Sequence, residues 1–319
     1  MKNLILLFLL FAGYQSIAQT TIISGTVSND KGQPVRYAFV QDDQTKDAAY
    51  TDSTGAFSLK ATPTSKLAIN CKGYSDAAVD VAGHTTFQVT LKTDPGVSNH
   101  AGGTVIDEAF KTNSGYNVSS AVADWGATIG NTRDVVGSRF LFTKWVPGYI
   151  IKVNGSSAQD PHFLFNYDKI KGDLYYNNDG TVTIADKNVV KGFVLISPHD
   201  QPVAFERMTG ISNDLYSIVL SSGSKYKIYK LIKTKYIPSD YKTDGVMSTG
   251  NKYDEYDDDY TYYVMNMKTL AFQPLQLKKK AIKDAFSTEG DKLNSFMNDH
   301  SSDKIDDDYL EALGNAMNQ

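Results

Sequence analysis

The chain has 319 residues, of which 41% are apolar and 21% charged, and carries a formal charge of −4. That length accommodates two ordinary domains, and the composition is that of a globular rather than a disordered chain. The acidic balance argues against a general nucleic-acid binder, which needs a basic surface to meet phosphates, and no long Lys/Arg block appears beyond Lys278–Lys280.

The first residues, MKNLILLFLLFAGYQSIAQ, set Lys2 ahead of an apolar run from Leu4 to Ala12. Ser16 and Ala18 stand at the −3 and −1 positions of a cut after Ala18. This is the pattern of a secretory signal peptide over residues 1–18, with a run too short to span a bilayer comfortably. No later stretch approaches 18 apolar residues, so no transmembrane segment is expected in the mature chain. Cys71 is the single cysteine, which rules out an internal disulfide. It alternates with Leu67 and Ile69 on one strand face, the setting of a small buried apolar group rather than of a reactive thiol.

From Thr21 to Lys92 the chain reads as seven short strands: TIISGTV, VRYAFV, DAAYT, GAFSLKA, KLAINC, AAVDV and TFQVTLK. Turn residues separate them, and the spacing predicts a small β-sandwich. Period-two alternation turns Ile23, Val27, Ala38, Val40, Phe57 and Leu59 inward, with Phe87, Val89 and Leu91 closing the core. In TDSTGAFSL, Asp52 is placed to form an Asx-turn and Gly55 to take a positive φ, so this stretch is expected to be a hairpin.

ISGTVSNDKGQPVRYAFV, TDSTGAFSL and LAINCKGY, in that order, resemble the carboxypeptidase-D regulatory-like domain. The resemblance covers residues 19–92 and implies a transthyretin-like β-sandwich without peptidase activity. It also implies an accessory module of the kind common in secreted and outer-membrane-associated proteins of Bacteroidetes-type bacteria. Asp52-Ser53-Thr54 resembles the short O-glycosylation signal of such bacteria, which makes Ser53 a candidate acceptor, although the turn reading suffices alone.

Thr93–Gly103, rich in Gly, Pro, Ser and Asn, reads as a linker. Residues 104–276 are again mostly β: RFLFTKW, YIIKVNG, HFLFNYD, GDLYYNN, TVTIAD, VVKGFVLI, LYSIVLSS, YKIYKLIKTKYI, YTYYVMN and LAFQPLQLK. Hairpin signals at Asn178-Asp179-Gly180, Ser221-Ser222-Gly223 and Asn266–Thr269 predict an antiparallel meander forming a curved sheet or open barrel. FLFNYDKIKGDLYY, VVKGFVLI and YKIYKLIKT make this region similar to an uncharacterised β-rich domain that follows the regulatory-like module in secreted Bacteroidetes proteins. Residues 277–319 switch to helical spacing. Their stripes are Ala281, Ile282, Ala285, Phe286; then Leu293, Phe296, Met297; then Ile305, Tyr309, Leu313, with Thr288 and Ser302 as N-caps.

Catalytic and cofactor motifs do not assemble. The five histidines include no i, i+4 pair, and there is neither a Gly-x-Ser-x-Gly elbow nor a phosphate loop, so no cofactor is expected. A triad built from distant residues stays open, because triads are defined by geometry. Asp257, Asp258 and Asp259 in DEYDDDYTYY are candidate Ca²⁺ ligands or a solvated charged loop. Trp145, Tyr149, Tyr175 and Tyr176 are candidates for an aromatic ligand platform or ordinary sheet residues. Tyr175 and Tyr176 must face opposite sides of a strand. These features point to an exported envelope binding or adaptor protein, periplasmic, outer-membrane-associated or extracellular, whose partner is an envelope protein or a glycan. A carbohydrate-binding module of a glycan-uptake system and a hydrolase of unrecognised type are the alternatives.

Overall fold

The computed structural model describes residues 20–94, 135–178 and 180–319. The signal-peptide pattern over 1–18, most of the 93–103 linker, His100, Trp125 and Asp179 lie outside the described residues. The chain divides into two compact units, Met1–Val97 and Ser98–Gln319.

The first unit has seven strands: β1 (Thr21–Asn29), β2 (Phe39–Asp42), β3 (Ala48–Tyr50), β4 (Ala56–Ala61), β5 (Lys66–Asn70), β6 (Ala77–Asp80) and β7 (Thr86–Leu91). They form two sheets, β4-β1-β7 and β3-β2-β5-β6, in which only β1 and β7 pair in parallel. Alternation delivers one apolar face per sheet. Ile23, Val27, Phe57, Leu59, Phe87, Val89 and Leu91 meet Val40, Leu67, Ile69 and Cys71 in a single core. The expected VRYAFV strand is shorter than its apolar content suggests, because Tyr37 takes φ 62° and β2 starts only at Phe39. The buried Thr51 bridges this break: its hydroxyl accepts from the Ala38 N–H (2.8 Å) and donates to the Val35 carbonyl (2.6 Å).

The Asp52 turn forms as the sequence requires. Asp52 Oδ1 accepts from the Thr54 N–H (2.8 Å), the Thr54 hydroxyl (2.7 Å) and the Ala56 N–H (3.0 Å). The Thr54 hydroxyl, opposed by slight burial and helped by the Ala56 and Thr54 amides, holds this carboxyl below its usual range. Gly55 sits at φ 78°, where a Cβ would lie 2.4 Å from the Val27 carbonyl oxygen.

Cys71 is 7% exposed, and burial pushes its thiol up to about 11. The sign follows: the stabilisation is complete below the ordinary thiol value and is lost as pH rises toward the folded value. In the native protein at pH 7.5, maleimide labelling of Cys71 should be far slower than for the denatured chain. Equal rates in the two states would show that the strand face carrying Leu67 and Ile69 is open.

The second unit is built on one large sheet. Its strands are β8 (Val135–Val136), β9 (Val146–Lys152), β10 (Ser157–Ala158), β11 (Phe163–Asp168), β12 (Asp173–Asn178), β13 (Thr181–Ile184), β14 (Val190–Ile196), β15 (Pro202–Glu206), β16 (Ser217–Ser222), β17 (Tyr226–Ile237), β20 (Asp254–Asn266) and β21 (Ala271–Leu275). The order is β13-β12-β11-β9-β14-β15-β16-β17-β20-β21, with β10 beside β9 and β8 beside β20. The pairing is antiparallel except at β8. Among the described residues β13 and β21 remain as edges, so this is an open meander in which β9 has been placed between β11 and β14. Val146, Ile150, Phe165, Tyr167, Tyr176, Phe193 and Phe205, from five strands, converge in one cluster, so the sheet curls over its own apolar face. A buried polar link closes that cluster: the Tyr216 N–H donates to the Tyr167 hydroxyl (3.0 Å), and the Tyr216 hydroxyl donates to the Val190 carbonyl (2.9 Å).

RFLFTKW was expected as a strand, but it forms a strap with one bridge, Phe140 to Asp168. Two backbone bonds flank that bridge, from the Leu141 N–H to the Tyr167 carbonyl (2.9 Å) and from the Lys169 N–H to the Arg139 carbonyl (3.0 Å), and side chains hold the rest. Arg139 grips Asp168 Oδ2 through Nε (2.8 Å) and Nη2 (2.7 Å). Asn166 accepts from the Phe142 N–H (3.2 Å) and donates to the Phe142 carbonyl (2.8 Å). Asn166 and Asp168 are both 0% exposed, so each clip is made out of water.

Helices α1 (Lys279–Ala285), α2 (Gly290–Asp299) and α3 (Asp307–Asn318) follow the sheet. The expected stripes, Ile282, Phe286, Leu293, Phe296, Met297, Tyr309 and Leu313, pack with Tyr226, Ile228 and Val264 of β17 and β20. The caps differ from expectation. Thr288 lies in a 3₁₀ turn and bonds the Tyr226 hydroxyl (2.9 Å), while Asp306, in extended conformation, caps α3 by accepting from the Tyr309 N–H. Asp307 and Asp308 then occupy the first turn, which suits the helix dipole. Asp307 also binds the sheet, through Lys230 (2.5 Å) and the Tyr262 hydroxyl (2.8 Å).

Candidate interaction surface

β17 and β20 are 12 and 13 residues long, about twice the usual strand, and pair without interruption from Tyr226↔Asn266 to Ile237↔Glu255. Helices cover the base of this hairpin, so its outer half forms an arm with two distinct faces. One face carries the rows Lys230/Tyr262, Ile232/Tyr260, Thr234/Asp258 and Tyr236/Tyr256. The Lys230 ammonium lies 4.2 Å from the Tyr260 ring centre, and the Tyr236 and Tyr256 rings are 5.2 Å apart. The opposite face carries the charged rows Lys233/Asp259 and Lys235/Asp257, all four exposed.

Beyond the arm, residues 240–253 are exposed and close on a small hairpin, β18 (Lys242–Thr243) with β19 (Ser248–Thr249). Asp244 shapes its turn by accepting from the Val246 (3.0 Å) and Met247 (2.8 Å) N–H groups. Those bonds, the one from Met247 foremost, lower its carboxyl from the ordinary value. Val246 is 92% exposed and Met247 68%, and Tyr236, Tyr241, Tyr253 and Tyr260 are also exposed.

The sequence-derived candidates sit elsewhere or in other roles. Tyr149, Tyr175 and Tyr176 are all buried. Tyr176 belongs to the main core, while Tyr175, on the other side of β12, packs with Phe140, Trp145, Val182 and Ile184. Trp145 and Tyr175 are therefore brought together, but as packing between the strap and β12 rather than as an open platform. Asp257, Asp258 and Asp259 lie within β20, not in a loop, and alternation splits them between faces. Asp258 is held by Lys169 Nζ (2.8 and 2.6 Å) and by the Thr234 hydroxyl (2.5 Å). Among the described residues, no group of three His, Cys, Asp or Glu could hold a metal ion. Ser53 is exposed at the tip of its turn. His84 and His199 are exposed, and His300 pairs with Asp303 (2.8 Å) at the end of α2.

The first unit matches a recognised class: residues 23–100 fit the family model of the CarboxypepD_reg-like domain, which agrees with the sandwich described above. No curated protein matches the chain. Among solved structures, a Streptococcal ancillary pilin is similar at 10% identity over 75% of this chain and 62% of its own, with a TM-score of 0.19. The Bacillus anthracis TIE protein is similar at 11% identity over 81% of this chain and 48% of its own, with a TM-score of 0.18. The chain thus spans less than two thirds of either, and such likenesses carry no argument about fold or function.

The arm was missed because YKIYKLIKTKYI and YTYYVMN each read as a single ordinary strand. A signal was present. Apolar residues on one face give way to Lys233 and Lys235 after Leu231, while the alternation itself continues. That is how a strand leaves a core without ending.

Proposed function

We propose that this is an exported cell-envelope protein that binds another envelope component without catalysis. The first unit serves as an accessory module, and the second unit carries the contact surface on its β17–β20 arm. The observation that carries the reading is the arm tip, where Val246 and Met247 are solvent-exposed on a structured hairpin. Large apolar side chains in that position gain little from the fold itself and contribute on association. The signal-peptide pattern and the accessory module support export to the envelope, in an organism of Bacteroidetes type.

The test is an affinity pull-down from native envelope extract with the mature chain as bait. The expected result is a partner retained by the parent and lost by the Val246→Glu/Met247→Glu variant, which should fold normally. Equal retention by both would remove the tip from the contact surface. Turnover of glycan or peptide substrates by the purified chain would overturn the non-enzymatic reading.

A further inference from the structure

Among the described residues, the outer edge of β20 is occupied at both ends and open between them. β8 pairs with Asp254 and Glu255, and β21 pairs from Tyr262 to Asn266. Where β8 ends, Gly137 takes φ 78°, and a Cβ there would lie 2.4 Å from the Tyr256 carbonyl oxygen, so the chain abuts the strand and turns away. Among the described residues, no strand pairs with Asp257–Thr261 on this edge. Five residues of strand span roughly 17 Å, so the opening has a defined length.

The side chains along the opening carry a charge pattern. Asp257 and Asp259 point to the same face, are exposed, and make no ion pair with a described residue. Asp258, on the other face, is already neutralised by Lys169. An incoming strand would therefore meet unpaired backbone groups and, on one face only, two carboxylates spaced two residues apart, each with a lysine (Lys235, Lys233) across the ladder on its far side, so that added cations would extend an alternating Lys–Asp–Lys row. Main-chain pairing supplies affinity in strand addition, and alternate side chains supply selectivity.

We propose that the open edge of β20 at Asp257–Thr261 takes up an extended basic peptide segment as an added strand, with lysine or arginine at alternate positions opposite Asp257 and Asp259. This rests on reading the second unit as a binding module, and it names the chemistry of one partner segment. It is separable from the tip: the Val246→Glu/Met247→Glu variant should still bind peptide.

The probe is a capped synthetic pentapeptide alternating lysine with threonine, titrated into the mature chain and followed by fluorescence anisotropy and amide hydrogen exchange. Exchange should slow at residues 257–261, and the glutamate version of the peptide should not bind. Asp257→Lys/Asp259→Lys should weaken binding about tenfold, as expected when two cross-strand pairs change from attraction to repulsion. Three results would overturn the proposal: no binding by the parent chain, equal binding of a peptide whose edge amides are N-methylated, or unchanged affinity in the charge-reversed variant. Self-association of Asp257→Thr/Asp259→Thr without peptide binding by the parent would also overturn it, by showing that the carboxylates guard the edge against pairing between copies.

Discussion

Arg139→Ala should destabilise the second unit by about 3–5 kcal/mol, because it strands a carboxylate that has no access to water. Asp168 is 0% exposed, and both contacts from Arg139 fall on its Oδ2 atom. Its Oδ1 atom is engaged by the Ile170 (2.9 Å) and Lys171 (3.0 Å) N–H groups and cannot take over. The strap over 138–145 would lose its main anchor, and Trp145, packed beside Phe140, would report this as a fluorescence change. Denaturant unfolding followed at Trp145 makes the measurement. The double substitution Arg139→Met/Asp168→Asn should recover part of the loss, since it removes the buried charge and keeps an acceptor for the Ile170 and Lys171 N–H groups. A single-variant loss under about 1 kcal/mol would mean that the pair is solvated and the strap is held by Asn166 and by its backbone bonds to Tyr167 and Lys169.

Phe193→Ala should cost a similar amount, about 3–5 kcal/mol, for a different reason. Phe193 is 0% exposed and lies between Phe205 (ring centres 4.7 Å apart), Tyr216 (4.9 Å) and Tyr167 (5.6 Å). The removed ring leaves a cavity whose walls come from different strands of one continuous sheet, which cannot close without bending the ladder. Phe193→Leu should cost under about half as much. Cys71 labelling reads the first unit separately, and its unfolding midpoint should not move. A parallel fall in that midpoint would show that the two units unfold together.

Features that depend on period were legible. The inward residues of the first unit, the Asx-turn at Asp52 and the three helical stripes each follow from spacing of a few residues, which local sterics and burial enforce. Features that depend on a distant partner were not. RFLFTKW has strand composition, but Arg139 and Phe142 find Asp168 and Asn166 rather than a ladder. DEYDDDYTYY reads as a charged loop until Lys233 and Lys235 are seen across from Asp259 and Asp257, where they make a strand of that composition tolerable. Ser302 lies short of the cap position that Asp306 fills, because the helix starts only at Asp307, whose carboxylate reaches Lys230 and Tyr262 on the sheet. Tyr149, Tyr175 and Tyr176 of the candidate aromatic platform are buried, which period alone does not reveal when both faces of a sheet are covered.

The position of β9 sets an order of events during biogenesis. β9 emerges early and can pair at once with β10 and β11, but its other edge waits for β14, so that Tyr149 meets Val194 only after the intervening hairpins have been made. Until then an apolar strand with an unpaired edge is presented to its surroundings, the condition under which chains associate wrongly. A chain truncated before Val190 would keep that edge permanently. The late arrival of β14 therefore acts as a commitment step: newly made chains need protection up to that point, and much less of it afterwards.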